Sequence, residues 1–172
     1  MRGTDGSTTL WSPNLAGQEA DMVIGFNHSG FVVADLDVML GFYRDALGLV
    51  VVREVDSVAP PEGDHTGIPG ARRRLVFVGV PNGEYVLELV HYLEPRSPAG
   101  HLKRYQLGAA HVCFNVDDLE GFHRRLSEQG VKFVTPPIFR DEPGGGRIGI
   151  CYARDPEGNW LEFIDRGKDG QE

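Results

Sequence analysis

A chain of 172 residues can form one domain with a real core, or two small halves fused side by side, but not two large domains. Its 17 Lys and Arg against 25 Asp and Glu leave a formal charge of −8, which argues against nucleic acid or an anionic membrane surface as the main partner. With two cysteines, Cys113 and Cys151, and no apolar run suited to a signal peptide or a membrane span, a disulfide scaffold is excluded and a cytoplasmic protein is expected.

Residues 1–22 lack a clear hydrophobic period and read as a flexible N-terminal arm, ordered only if Leu10 and Trp11 find a groove. A first module is expected over residues 23–94. Residues 26–34 are rich in β-branched and aromatic types and predict a strand. Asp35 then stands as a helix N-cap; Leu36, Met39, Leu40, Tyr43 and Leu47 recur at helical spacing, and Gly48 takes the place of a cap glycine. Residues 49–55 return to strand character. Residues 57–70, rich in Pro and Gly and holding His65, form a loop long enough for a substrate lid or a disordered tip. Two more strands, residues 72–80 and 84–93, flank the turn Pro81-Asn82-Gly83.

Residues 95–107 read as a solvated linker, with contact of His101, Lys103 and Arg104 to an anionic substrate tail as the alternative. A second module, residues 108–166, repeats the order β, α, β, β, β. It has a strand at 110–116, a cap at Asp117 or Asp118, and a helix with Leu119, Phe122 and Leu126 on one stripe, stopped at Gly130. A strand at 131–134 follows, then extended stretches at 138–140 and 148–153 beyond Pro136-Pro137. The last strand, 159–165, is entered through the turn Asp155-Pro156-Glu157-Gly158, and residues 167–172 form a polar tail.

The two modules are copies. At a constant offset of 83, His28 falls on His111, Phe31 on Phe114, Val33 on Val116 and Asp35 on Asp118. Their last strands also match, with Glu88 over Glu162. Each glutamate shares a strand face with apolar residues, Val86 and Val90 in one case, Trp160 and Ile164 in the other. Either that face is half wet, or each carboxylate needs a cation, because burying it unpaired is costly. A single strand histidine is more often a hydrogen-bonded core or interface residue than a ligand. Four positions related by the repeat change that balance: facing sheets would bring two imidazoles and two carboxylates together. Such a set suits one divalent ion, Mn, Fe, Co, Ni or Zn, without the thiolates of a structural zinc site. Cys113 shares a face with His111 and reads as packing or pocket lining; His91 lies on the face opposite Glu88.

The motifs Asn27-His28-Ser29-Gly30-Phe31, Phe42-Tyr43-Arg44-Asp45-Ala46-Leu47-Gly48-Leu49, Leu87-Glu88-Leu89, Ala110-His111-Val112-Cys113-Phe114 and Asp155-Pro156-Glu157-Gly158-Asn159-Trp160-Leu161-Glu162-Phe163 together resemble the vicinal oxygen chelate superfamily. This is the group of glyoxalases, bleomycin-resistance proteins and extradiol dioxygenases. The resemblance covers about residues 24–166 and implies an α+β fold of two paired βαβββ modules, curled as half-barrels around a metal. It also implies the ligands His28, Glu88, His111 and Glu162, a base that is Glu162 or Glu88, a small-molecule substrate with chelating oxygens, and a homodimer. The His, Glu, His, Glu pattern is similar to that of bacterial glyoxalase I, whereas methylmalonyl-CoA epimerases usually carry Gln at the second place. Where bacterial glyoxalase I commonly has an Arg and an Asn for glutathione, this chain has Val32 and Tyr92.

What the resemblance implies is a metal-dependent isomerase, epimerase or lyase that moves a proton on the carbon next to a chelated oxygen. The first alternative is an Fe(II) or Mn(II) ring-cleaving dioxygenase; a fourth ligand, Glu88, counts against it, because oxygen and a bidentate catechol need three open positions. The second is a metal-free drug-binding protein, a type that usually lacks several of the ligands. Substrate selection is expected in residues 57–74 and 95–107, which have no counterpart in the repeat.

Overall fold

The computed structural model describes residues 25–98, 100–143 and 145–167, so the expectations for the arm and for the tail beyond Gly167 lie outside the described residues. The elements are β1 (His28–Val33), α1 (Leu36–Leu40) continued by a π-helical segment (Gly41–Ala46), β2 (Val50–Val58), β3 (Arg72–Gly79) and β4 (Val86–Glu94), then β5 (His111–Asn115), α2 (Leu119–Glu128), β6 (Ile138–Asp141), β7 (Arg147–Arg154) and β8 (Trp160–Asp165). They make two open four-stranded sheets, ordered β1-β4-β3-β2 and β5-β8-β7-β6. In each the first strand runs parallel to the last and the others pair antiparallel. This is the expected α+β class.

Both helices begin where the aspartates predict. The Asp35 carboxylate accepts from the amides of Asp37 and Val38, at 3.0 and 3.1 Å, and Asp118 accepts from Gly121 at 2.9 Å. The expected single stripe in the first helix is altered by its π-helical half. The Leu47 amide reaches back to the Phe42 carbonyl at 2.9 Å, and Phe42 is buried beside Tyr43 while Leu40 and Leu47 pack partly buried against the core.

Alternation along the strands sends one face of each sheet inward. Leu87, Leu89, Val76 and Val78 of the first sheet and Leu161, Phe163, Cys151 and Ala153 of the second belong to one core with Met39, Tyr43 and Leu119. Each large side chain so buried contributes about 1.5–3 kcal/mol. The opposite faces carry Glu88 and Glu162 and stay half open.

A polar latch joins the modules. The Tyr43 hydroxyl donates to Asp155 at 2.8 Å inside the core. The Asp155 carboxylate also accepts from the Glu157 and Asn159 amides and the Asn159 side chain, and Glu157 accepts from the amides of Ala34 and Asp35, both at 2.7 Å. The Asp155-Pro156-Glu157-Gly158-Asn159 turn is therefore a fastener between the halves.

Three stretches differ from expectation. The strand at 131–134 is reduced to a bridge between Phe133 and Ala153, with the Val134 amide on the Tyr152 carbonyl at 2.8 Å; Pro136 and Pro137 interrupt this edge before β6 begins. The loop after Val58 is folded: the Ala59 amide closes its neck on the Ala71 carbonyl at 2.7 Å. Arg73, 4% exposed, reaches Ser57 at 2.8 Å and pairs with Asp64 of the loop. The linker is not freely solvated either. His101 packs on Gly158, the Leu102 carbonyl accepts from the Trp160 indole at 3.0 Å, and Arg104 lies 4.0 Å above the Tyr152 ring.

Candidate metal centre

The parallel pairing of β1 with β4 sets Gly30 beside Glu88 and brings His28 within reach of the same carboxylate. His28 Nε2 lies 3.2 Å from Glu88 Oε2. In the second sheet β5 and β8 repeat the arrangement, with His111 Nε2 also 3.2 Å from Glu162 Oε2. The carboxylates are the more enclosed partners, 16% and 14% exposed against 37% and 45% for the imidazoles, so each glutamate is fixed in the sheet while its histidine faces outward.

Each pair rests on an aromatic ring set opposite the glutamate by strand register. Phe77 stands across from Glu88 and meets His28 edge-on at 5.8 Å; Tyr152 stands across from Glu162 and meets His111 at 5.7 Å. An arginine lies over each ring, Arg53 at 5.0 Å and Arg104 at 4.0 Å. Sequence reasoning missed Phe77, Tyr152 and Arg53, because cross-strand register is not written in any one strand.

The repeat also equates Gly30 with Cys113, and both sit against a carboxylate. A Cβ at Gly30 would lie 3.4 Å from Glu88 Oε2, so only a small residue leaves that oxygen room. At Cys113, burial first and the nearby Glu162 carboxylate second push the thiol up to about 11, so it stays protonated at neutral pH. Burial first, and then the adjacent Glu162 carboxylate, hold the Tyr152 phenol above its ordinary pKa.

Among the described residues no three metal-binding side chains converge. His28 and His111 line one cleft of about 570 Å³ between the modules, but Glu88 and Glu162 do not. The four residues stand as two His–Glu pairs, one on each sheet. Their donors fit a divalent ion. Two imidazole nitrogens and two carboxylate oxygens form a borderline-to-hard set, and ligands about 2.1 Å from an ion at right angles stand about 3 Å apart, close to the separation within each pair. Cys151 is buried in the core and His65 stands exposed 3.9 Å from Asp64; neither joins the pairs.

Residues 25–163 match the model of the Glyoxalase/Bleomycin resistance protein/Dioxygenase superfamily. The chain is 29% identical over 161 residues to a lactoylglutathione lyase of Pseudomonas aeruginosa, an alignment covering 85% of each chain. It is 33% identical over 115 residues to an ethylmalonyl-CoA/methylmalonyl-CoA epimerase of Cereibacter sphaeroides, covering 66% of this chain and 76% of the relative. Its fold is similar to that of a glyoxalase family protein from Bacillus cereus, with a TM-score of 0.74 at 22% identity over 87% of this chain and 98% of the other. Repeat, sheet topology and these matches agree: the chain belongs to the glyoxalase, bleomycin resistance protein and dioxygenase superfamily.

Proposed function

We propose that the chain is a divalent-metal-dependent lyase, isomerase or epimerase that moves a proton on the carbon beside a chelated substrate oxygen. The observation that carries this reading is the pair of His–Glu contacts, both 3.2 Å, at positions related by the internal repeat. His28, Glu88, His111 and Glu162 hold the ion, which when bound polarises the substrate oxygen and acidifies the neighbouring C–H. Glu162 takes and returns the proton, with Glu88 as the other candidate base. The centre is placed between two copies, residues 23–94 of one protomer facing residues 108–166 of its partner in a homodimer, a reading supported by the separation of the two His–Glu pairs onto different sheets.

The substrate is a small molecule with chelating oxygens other than a glutathione thiohemiacetal, a reading supported by Val32 and Tyr92 at the places that serve glutathione in bacterial glyoxalase I. The test is metal analysis of the purified protein, followed by solvent-deuterium exchange into candidate 2-oxo and acyl substrates with an oxygen electrode running. Bound metal and exchange without oxygen uptake support the proposal. A protein that refuses Ni, Co, Mn, Fe and Zn, or that consumes oxygen with catechols, overturns it.

A further inference from the structure

A second depression lies on the open face of the β5-β8-β7-β6 sheet, beside the His111–Glu162 pair. It has a volume of about 300 Å³ and is lined by Val134, Ile138, Ile150 and Tyr152, with Arg104 and Arg140 at its rim. Ile138 pairs with Ile150 across β6 and β7, and Ile150 with Ile164 across β7 and β8, so the floor is a continuous apolar strip. Val134 and Ile138 are more than half exposed, leaving apolar surface without a partner. Among the described residues neither Arg104 nor Arg140 forms an ion pair, which is also true of Arg53, Arg96, Arg124, Arg125, Arg147 and Arg154, but of these only Arg104 and Arg140 line the depression.

Two uncompensated guanidinium groups over an apolar floor are built for a ligand that is anionic at one end and aliphatic in its body. Arg104 is also pre-oriented, since stacking on Tyr152 leaves its planar fork free to meet a carboxylate with two parallel hydrogen bonds. The cavity stands at the small end of ligand sites, too small for a nucleotide-sized tail. Tyr152 spans both sites: its ring lies under Arg104 and against His111.

We infer that this depression receives the carboxylate of a short branched aliphatic acid, so that the substrate is acidic and is gripped at its charged end by Arg104 and Arg140 while its reacting carbon faces Glu162. The last clause rests on the function proposed above; the carboxylate subsite itself does not.

Calorimetric titration of the full-length protein, metal-loaded and chelator-treated, with 3-methylbutanoate and with the uncharged 3-methylbutanamide tests it. In both states the acid should bind at least about tenfold more tightly than the amide, the worth of one charge-assisted contact. Arg104→Met and Arg140→Met keep the apolar stem and should each remove most of that preference, with thermal unfolding and metal content unchanged. His111→Ala, which disables the proposed centre, should keep the preference. Equal binding of acid and amide, no binding of either, a preference untouched in both arginine variants, or one that disappears when metal is removed would overturn the subsite. Loss of acid preference with metal binding and solvent exchange intact would refute only the subsite; intact preference without metal binding would refute only the proposed reaction.

Discussion

The Tyr43 hydroxyl donates to the Asp155 carboxylate at 2.8 Å across the boundary between the two modules, with both residues buried. Burial first, and Asp155 second, hold the Tyr43 phenol far above its ordinary pKa, so it remains a donor throughout the usable pH range. Tyr43→Phe should cost about 1–2 kcal/mol, the worth of one hydrogen bond to a charged group with its acceptor otherwise satisfied. Asp155→Ala should cost more, because it orphans the amides of Glu157 and Asn159 as well as the phenol. Denaturant unfolding of both variants measures this; equal stability of Asp155→Ala and wild type would refute the latch.

The loop between β2 and β3 should be held by Arg73 and Asp64. Arg73 lies on the same face as Glu88, since it pairs with Tyr92 while Phe77 pairs with Glu88, so the anchor places the loop at the far end of that face. Hydrogen bonds from Thr66 and the Arg73 guanidinium lower the Asp64 carboxyl to about 2. A lowered folded pKa stabilises above the unfolded value of 3.8 and loses its effect as pH falls toward 2. Proteolysis within residues 60–70 should therefore be slow and independent of pH from neutrality down to about 4.5, and quicken at lower pH. Arg73→Leu should open the loop at neutral pH. If deletion of residues 62–67 left turnover and substrate preference unchanged, the loop would be no lid.

Isosteric substitution should separate the roles of Glu162 and Glu88. Glu162→Gln keeps an oxygen donor but cannot accept a proton, so metal occupancy should be partly retained while solvent exchange of the substrate proton falls by about 10²-fold or more. His111→Ala should lose metal and activity together. Exchange at the wild-type rate in Glu162→Gln would move the base to Glu88.

Much of the fold was legible in local pattern. Asp35 and the Asp117-Asp118 pair announced both helices, the 83-residue offset announced two modules with matched histidines, and the likeness of their last strands set Glu88 over Glu162. What local pattern could not carry was register. The pairing of each histidine with the glutamate of its own sheet depends on the last strand returning parallel to the first. Phe77 and Tyr152 stand opposite the glutamates only once β3 and β7 are placed beside them. From sequence the run Arg72-Arg73-Arg74 is expected only as part of the substrate-selecting stretch 57–74, whereas the folded loop covers the middle arginine, and the carboxylate that neutralises it comes from nine residues away in a loop with no period. Arg104 is expected only as an alternative contact for an anionic substrate tail, because its stack on Tyr152 depends on where β7 is placed.

The central claim is that four side chains form one metal centre, with one His–Glu pair from each copy. His28→Ala and His111→Ala should each fail to bind metal alone. Unfolded together in equal amounts and refolded, they should recover about a quarter of the wild-type metal, since half of randomly formed dimers are mixed and each mixed dimer restores one of two sites. Metal content of the refolded mixture at the level of the separate variants would contradict a shared centre.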